Sequence, residues 1–265
     1  MHPSAVVPAT ASLGENVRVG AFAVIGDGVV IGAGSEIGAH AIVRDFCVIG
    51  ERVLVDSFAV VGGRPQTRGQ VAPGGIVRIG DDSVVREGVT VSLPTKADSE
   101  TVVGKGCLLM ANSHVGHDTL VGDAVTLANN VMLAGHVQIG DSVFLGGGAG
   151  VHQFVRIGRG AIVGGNASIS YDVAPFVIAA ERNRVCGLNV VGLRRQGITG
   201  AVLADLKRCY HAVFRGGCVR EHAAAALRDG AIGTEAPGRA FLTFFAEGRR
   251  GFAITRSRRE NAAQP

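Results

Sequence analysis

The chain has no tryptophan and only two tyrosines among its 265 residues, which argues against a fold centred on large aromatic side chains. It also lacks the run of roughly 18 apolar residues that a membrane-spanning helix needs, and no signal-peptide pattern opens it. We therefore expect a soluble, cytoplasmic protein. What is abundant is glycine, with 40 residues, and Val, Ile and Ala are also frequent. This composition indicates many short strands joined by tight turns.

Cysteine is scarce and carries no pairing pattern. The five cysteines form no CxxC pair and are odd in number, which favours reduced thiols in a reducing compartment. The formal net charge of +4, with a pI near 9.0, favours acidic partners, although an ordinary solvated surface explains so small an excess equally well. We expect no nucleic-acid partner.

A branched aliphatic residue recurs at every sixth position over most of the chain, and the period resumes after two interruptions. Fixed spacing of this kind is typical of a solenoid, in which each unit buries its apolar face only against its neighbours. One hexad predicts one short strand and one turn, and three hexads predict a triangular coil of a parallel β-helix. Glycine often follows the aliphatic position, which predicts a turn residue with positive φ. The first block contains Val7, Leu13, Val19, Ile25, Ile31, Ile37, Val43, Ile49, Val55 and Val61.

Two segments leave the repeat, residues 62–75 and 93–100, and both are predicted to be functional loops. The repeat ends near Asp172. We place the β-helix at 1–174, a C-terminal helical domain at 175–255 and a disordered tail at 256–265. Helical spacing of apolar residues predicts helices at 198–216, 220–228 and 240–247, which would cover the open end of the coil.

Histidines cluster in one part of the coil, where reactive side chains are otherwise few. With 18 residues per coil, His117 should lie beside Gly135 and Gln153, and Asp118 should lie beside His136 and Phe154. An imidazole next to a carboxylate can act as a general base at neutral pH. Two other interpretations remain open, a row of solvated histidines and a zinc site made by imidazoles from neighbouring coils.

Several motifs resemble those of the acyl-ACP:UDP-N-acetylglucosamine 3-O-acyltransferases. They are LLMANSHVGHD at 108–118, LANNVMLAGHV at 127–137, GVHQF at 150–154, GLNVVGLRRQGIT at 187–199 and FFAEGRRGFA at 244–253. The resemblance implies a left-handed parallel β-helix, a homotrimer with active sites between subunits, and the first acyl transfer of lipid A biosynthesis. It also implies an acyl carrier protein and a UDP-sugar as partners, with no metal and no cofactor, since the carrier-bound thioester is a substrate.

The resemblance also implies a role for each matching residue. His117 would be the general base, Asp118 would orient it, and the Gly135 N–H would stabilise the oxyanion. Gly165 would stand at the position that measures the acyl chain, where a glycine leaves room for a longer tail, and Arg156, Arg159 and Arg182 are candidates for docking the acidic carrier protein. The residues expected to position or contact the substrates are His114, His136, His152, Gln153, Asn189, Arg194 and Arg195.

The sequence departs from the family pattern in the two loops. The first reads Pro65-Gln66-Thr67-Arg68-Gly69-Gln70 where the family commonly has PQDLKY, and the second reads Ser92-Leu93-Pro94-Thr95 without the usual arginine-glycine start. Gln196 stands where a second phosphate-facing arginine is often found. An alternative function is therefore acyl transfer to a modified sugar nucleotide, such as one with a 3-amino group. A metal-dependent β-helix enzyme and a non-catalytic scaffold are the remaining alternatives.

Overall fold

The computed structural model describes residues 1–69, 71–72, 74–248 and 250–255. The segment 256–265, predicted to be a disordered tail, lies outside these residues. Short strands fill the chain as far as Leu188, and helices follow. Within the described residues, no helix is both long enough and apolar enough to cross a membrane.

The strands are mostly two residues long, as one strand per hexad requires. In the first half they are β1 (Ser12–Leu13), β2 (Arg18–Val19), β3 (Val24–Ile25), β4 (Val30–Ile31), β5 (Glu36–Ile37), β6 (Ile42–Val43), β7 (Cys47–Ile49), β8 (Leu54–Val55), β9 (Val60–Gly63), β10 (Ile76–Ile79), β11 (Val84–Val85), β12 (Thr90–Ser92) and β13 (Glu100–Val103). In the second half they are β14 (Leu108–Leu109), β15 (His114–Val115), β16 (Leu120–Val121), β17 (Thr126–Leu127), β18 (Met132–Leu133), β19 (Gln138–Ile139), β20 (Phe144–Leu145), β21 (Gly150–Val151), β22 (Arg156–Ile157), β23 (Ile162–Val163), β24 (Ser168–Ile169), β25 (Val177–Ala180) and β26 (Arg184–Leu188).

Every third strand joins the same sheet, so the chain winds around three parallel sheets. Sheet 1 runs from β1 to β22, sheet 2 from β2 to β23 and then β25 and β26, and sheet 3 from β3 to β24. In uninterrupted coils the partners are 18 residues apart, as in Leu120 with Gln138 and Gln138 with Arg156. The predicted left-handed parallel β-helix is confirmed.

The aliphatic position of the hexad forms the core of the coil. Leu109, Leu127 and Leu145 lie above one another in sheet 2 and are fully buried. Four residues after each aliphatic position, a smaller side chain such as Ala41, Val125 or Ser113 is also buried. Burial of a Val or Leu side chain contributes roughly 1.5–3 kcal/mol, and the repeat provides such a residue in almost every hexad.

The predicted role of the glycines was wrong in one respect. Gly32 directly follows the aliphatic Ile31, but its φ is not positive; a Cβ there would meet the Gly50 backbone at 2.6 Å. Glycine at this position allows two coils to approach each other. The positive φ falls two residues later in the turn, and many of the residues there are not glycine, including Asn16, Phe22, His40 and Phe58.

The two predicted loops are confirmed as breaks in the coil. The first joins β9 to β10 and the second, residues 93–99, joins β12 to β13. They contact each other, since the Ala72 N–H donates to the Thr95 carbonyl at 3.0 Å and the Ile76 N–H donates to the Ser99 carbonyl at 3.2 Å. The second loop lies one coil before His117.

The sheet continues beyond the predicted boundary at residue 174. Strand β25 pairs in parallel with β23, and β26 pairs with β25 in the antiparallel direction, so the helices begin only at Val190. The predicted helices appear as α2 (Gly200–Val213), α3 (Val219–Asp229) and α4 (Ala236–Phe244), each with shifted ends, and the sequence analysis missed the short helix α1 (Val190–Arg195).

The helices pack on one another around Phe241 and Phe245, both fully buried. Arg156 connects them to the coil: its guanidinium bonds to Asp172 at 2.8 Å and to the Glu247 carbonyl at 2.8 Å, and lies 4.3 Å from the Phe244 ring centre. The Arg156 side chain is only 17% exposed and is bonded within the chain, and its role in docking a carrier protein stays a prediction.

The two glycine environments predict opposite responses to substitution. Gly32→Ala should destabilise the protein by about 1–3 kcal/mol, because even a methyl group overlaps the next coil. Gly28 has a φ of 66° and open space around it, so Gly28→Asn, a larger change, should cost less than about 1 kcal/mol because Asn tolerates this conformation. Denaturant unfolding of both variants measures the difference. Equal destabilisation would contradict this account of coil packing.

Candidate active site

The histidine cluster lies at the corner between sheet 3 and sheet 1. His117 and Asp118 occupy the turn after β15, and Gly135 and His136 occupy the same turn one coil later. The His136 N–H donates to the His117 carbonyl at 2.9 Å, and the His136 ring stacks on Phe154 with centroids 4.6 Å apart. The stacking predicted from an 18-residue coil is therefore confirmed here.

His117 and Asp118 form a hydrogen-bonded pair. His117 Nδ1 lies 2.8 Å from Asp118 Oδ2, and the Asp118 side chain is only 8% exposed. The same carboxylate accepts hydrogen bonds from the second loop: Thr95 N–H at 3.1 Å and the Thr95 hydroxyl at 2.8 Å reach Oδ2, and Ser99 Oγ lies 2.8 Å from Oδ1. An ionised Asp118 requires His117 to carry its proton on Nδ1, which leaves Nε2 free to accept one.

The electrostatic surroundings keep the pair in that state. Burial raises the pKa of Asp118, but the hydrogen bonds from His117, Ser99 and Thr95 together hold that pKa below its usual value. Burial, and to a lesser degree His117, lower the pKa of His114. Burial also lowers the pKa of His136, against the opposing effect of Asp118. The carboxylate is therefore ionised and these two flanking imidazoles are neutral at neutral pH.

Gly135 lies directly against the His117 ring. A Cβ at Gly135 would stand 2.5 Å from His117 Nε2, so only glycine fits there. The Gly135 carbonyl accepts from the Phe154 N–H at 3.2 Å, whereas its own N–H has no acceptor among the described residues. A free backbone N–H beside the basic nitrogen is suited to stabilise negative charge that develops on a reacting oxygen.

A groove of about 780 Å³ runs from this corner over the outer face of sheet 3. His114 lies in it, with Nδ1 2.7 Å from the Thr90 hydroxyl, and His152 points Nδ1–H towards the Gln153 carbonyl at 3.3 Å. Gln66 of the first loop reaches the same groove. The structure thus brings together the predicted residues His114, His117, Gly135, His152 and Gln153 in one groove, with Asp118 and His136 directly behind it.

The zinc interpretation expected three converging imidazoles. The structure instead groups two imidazoles with one carboxylate, His117, His136 and Asp118, whose polar atoms lie within 4.8 Å of one another. The Asp118 oxygens already accept bonds from His117, Thr95 and Ser99. In this arrangement Asp118 orients His117 as a base, and hydrogen-bond donors already occupy both oxygens of the carboxylate.

Of the residues predicted to contact the nucleotide, Gln153 lies in the His117 groove, whereas Asn189 and Arg195 lie at another corner of the coil. The Asn189 amide donates to the Gly160 carbonyl at 3.0 Å, in the turn between sheets 1 and 2, and accepts from the Gly192 N–H at the start of α1. Arg194 and Arg195 are exposed at the end of α1. Within one chain they do not meet His117.

Gly165 lies at the third corner, between sheets 2 and 3, where its nearest neighbour across the coil is the Gly147 backbone. This corner carries no bulky side chain at either glycine. The outer face of sheet 3, with Met132, Gly150 and Ser168, extends from the His117 corner towards it. The position predicted to leave room for a longer acyl tail therefore lies at the far edge of the face that carries the groove.

The sequence analysis missed Thr95 and Ser99, which bond to Asp118, and did not place Arg182 near His117. Nothing in the motifs indicated Thr95 or Ser99, although the break in the repeat one coil before His117 was a signal. Arg182, predicted to dock a carrier protein, lines the His117 groove itself. Arg159 is exposed at the corner between sheets 1 and 2.

Three family models match four segments of the chain. Residues 172–253 match the model described as Udp N-acetylglucosamine O-acyltransferase, domain 2. Residues 10–45 and 100–135 match the bacterial transferase hexapeptide model, and residues 136–171 match a hexapeptide repeat of succinyl-transferase. A relative from Rhizobium etli, named acyl-[acyl-carrier-protein]--UDP-N-acetylglucosamine O-acyltransferase, is 47% identical over 64 residues, a match that spans 23% of each chain.

Solved structures extend the likeness over nearly the whole chain. LpxA from Acinetobacter baumannii is 31% identical with a TM-score of 0.90, and the match covers 96% of this chain and 99% of that one. The UDP-N-acetylglucosamine acyltransferase from Campylobacter jejuni is 33% identical with a TM-score of 0.89, over 96% and 99% of the two chains. On this identity and coverage, the chain belongs to the UDP-N-acetylglucosamine O-acyltransferase family of enzymes.

Proposed function

We propose that the protein transfers a 3-hydroxyacyl chain from acyl carrier protein to the 3-hydroxyl of UDP-N-acetylglucosamine, the first step of lipid A biosynthesis. The observation that carries the proposal is the His117–Asp118 pair beside the free Gly135 N–H in an open groove. Family membership supplies the substrate class. No metal or cofactor is part of the proposal, and the carrier-bound thioester is a substrate.

In the proposed mechanism, His117 Nε2 accepts the proton of the sugar 3-hydroxyl as its oxygen attacks the thioester carbonyl carbon. Negative charge moves to the carbonyl oxygen, and the Gly135 N–H donates a hydrogen bond to it. The tetrahedral intermediate then expels the carrier's thiolate, which takes the proton back from His117. Asp118 stabilises the imidazolium during the step. His114, His136, His152 and Gln153 would position the two substrates around this centre.

We further propose that the active enzyme is a homotrimer whose sites lie between subunits. Asn189, Arg194 and Arg195 are separated from His117 by one face of the coil, so one chain alone does not join the base to the proposed diphosphate contacts. A guanidinium pair matches diphosphate oxygens well. The exposed Arg159 remains a candidate for the acidic carrier protein. A cytoplasmic location is part of the same proposal, because carrier-bound acyl thioesters are its donors.

A 3-amino sugar acceptor is the second candidate, and the first loop favours it. The Thr67 hydroxyl accepts the Gly69 N–H at 3.1 Å within its own loop, so Gln66 is the loop residue that reaches the groove. The Asp and the Lys of the family's PQDLKY pattern are absent from this loop. An amine acceptor demands less of a base than a hydroxyl does.

The first test compares native protein with His117→Ala. We expect transfer from a panel of 3-hydroxyacyl carrier proteins to UDP-N-acetylglucosamine, with the variant losing activity by at least about a hundredfold. The 3-amino analogue is assayed in parallel, followed by mass spectrometry of the product. Preference for the amine would establish the second candidate, and turnover of neither acceptor would refute both.

Gly135→Ala tests whether the close contact between Gly135 and the His117 ring is needed for activity. The added methyl group should displace the His117 ring and lower kcat by about 10²–10³-fold, with a folded protein by circular dichroism. Gly63→Ala is the matched control, because its added Cβ has its nearest neighbour at 3.8 Å. Near-native activity of Gly135→Ala would contradict the need for this close contact.

Mixed oligomers test whether two chains share one site. His117→Ala and Arg195→Ala should each be impaired, and mixed trimers isolated by two different tags should recover about a third of native activity, because one site in three then combines the two intact residues. Recovery is expected only if the base and the arginine come from different chains. No gain over the single variants would contradict the shared site.

A further inference from the structure

The second loop reaches across one coil to the carboxylate of Asp118. Thr95 contributes both its backbone N–H and its hydroxyl to Oδ2, at 3.1 and 2.8 Å. Ser99 places Oγ 2.8 Å from Oδ1, and that hydroxyl also lies 3.0 Å from the Lys96 carbonyl. Together with His117, these residues contact both oxygens of a side chain that is 8% exposed.

The first loop supports this arrangement from behind. The N–H of Ala72 in this loop and the N–H of Ile76, the first residue of β10, donate to the carbonyls of Thr95 and Ser99, the two residues that contact Asp118. At Gly75 an added Cβ would stand 3.0 Å from the Ser99 carbonyl oxygen, so the loops are in close contact. The two loops therefore form one hydrogen-bonded unit, which contacts the Asp118 carboxylate.

Asp118 needs this support because its own turn does not hold its side chain. Its φ of 57° is the left-handed conformation shared by the same turn position in other coils, and its N–H donates to Thr101 Oγ1 at 2.9 Å. That bond fixes the backbone and leaves the carboxylate free to rotate about its side-chain bonds. Donors from the second loop restrict that rotation, and with it the direction in which His117 is held.

We propose that Thr95 and Ser99 are positioning residues, which fix the Asp118 carboxylate so that His117 presents Nε2 to the acceptor hydroxyl. This inference rests on the proposed function for its kinetic consequences, whereas the side-chain geometry can be measured without turnover. It also assigns a role to the segment in which this sequence departs from the family pattern. The loop acts on the base through Asp118 and does not touch the reacting atoms.

Charged and titratable groups around the pair set the expected pH dependence. His136 Nε2 lies 3.8 Å from Asp118 Oδ2. The charge of His117 lowers the pKa of His114, and the charge of Lys96 lowers the pKa of His136. Thr95 and Ser99 stabilise the ionised carboxylate. Without their hydrogen bonds the pKa of the Asp118 carboxyl should rise, because burial raises that pKa and these bonds lower it.

The test uses Thr95→Val, which removes the hydroxyl and keeps the shape, Thr95→Ser, which restores it, and Ser99→Ala. We expect Thr95→Val and Ser99→Ala each to lower kcat by about tenfold with little change in KM for the sugar nucleotide. The acid limb of kcat/KM should move to higher pH in both variants and return in Thr95→Ser. Asp98→Asn is the matched control, since Asp98 is exposed on the same loop and does not bond to Asp118.

A second measurement separates this inference from the proposed function. Carboxyl ¹³C NMR titration, with the Asp118 signal assigned by Asp118→Asn, should show a higher pKa of Asp118 in Thr95→Val even without substrates. If the native protein is active but neither the acid limb nor the titration changes in the variants, the positioning role is refuted and the proposed function is not. A shifted titration without turnover by native protein would support positioning and refute the proposed function. Loss of activity uniform across pH, unrescued by Thr95→Ser, would indicate only a structural role for the loop.

Discussion

The register between successive coils is the constraint on which the site depends. Each backbone strand pairs with the strand one coil away, and the six-residue repeat keeps the same turn position above itself. A side chain is therefore placed by its position in the hexad more than by local propensity. His117, Gly135 and Gln153 share one column because uninterrupted coils keep the 18-residue offset. An added or lost residue between them would separate the base from the backbone N–H, and a slipped register would turn core side chains outward.

Close stacking explains why glycine is required at two kinds of position. In the coil, glycines such as Gly32 allow one turn to lie against the next. At Gly135 the neighbouring group is the imidazole of His117, so the spacing that holds the coils together also places a backbone N–H beside the base. The same property of glycine thus serves both the fold and the site.

Much of this could be predicted from the sequence, since a strict period reports directly on coil register. The strands, the two loops and the convergence of His117, Asp118 and His136 followed from counting residues. The continuation of the sheet beyond residue 174 could not be predicted, because β25 and β26 extend sheet 2 without the six-residue pattern. Arg156 appeared to be a surface charge, but its contacts with Asp172 and Glu247 come from residues distant in sequence. The contacts of Thr95 and Ser99 could not be predicted either, because residues in a loop that leaves the repeat cannot be placed by counting from one coil to the next.

The positive φ of the turn adds a cost that the site's hydrogen bonds must offset. For a non-glycine residue this conformation costs roughly 1–2 kcal/mol, and both Asp118 and His136 adopt it. At His136 the stacked Phe154 ring and the backbone bond to His117 compensate. At Asp118 the compensation comes from Thr101 on the backbone and from the second loop on the carboxylate. Within the regular coil a backbone N–H can reach a carboxylate one coil away, as Lys105 N–H reaches Asp123 Oδ1 at 2.8 Å. At Asp118 the interruption of the repeat adds two side-chain hydroxyls, so that both carboxylate oxygens are bonded, and the irregular segment therefore lies beside the reactive pair.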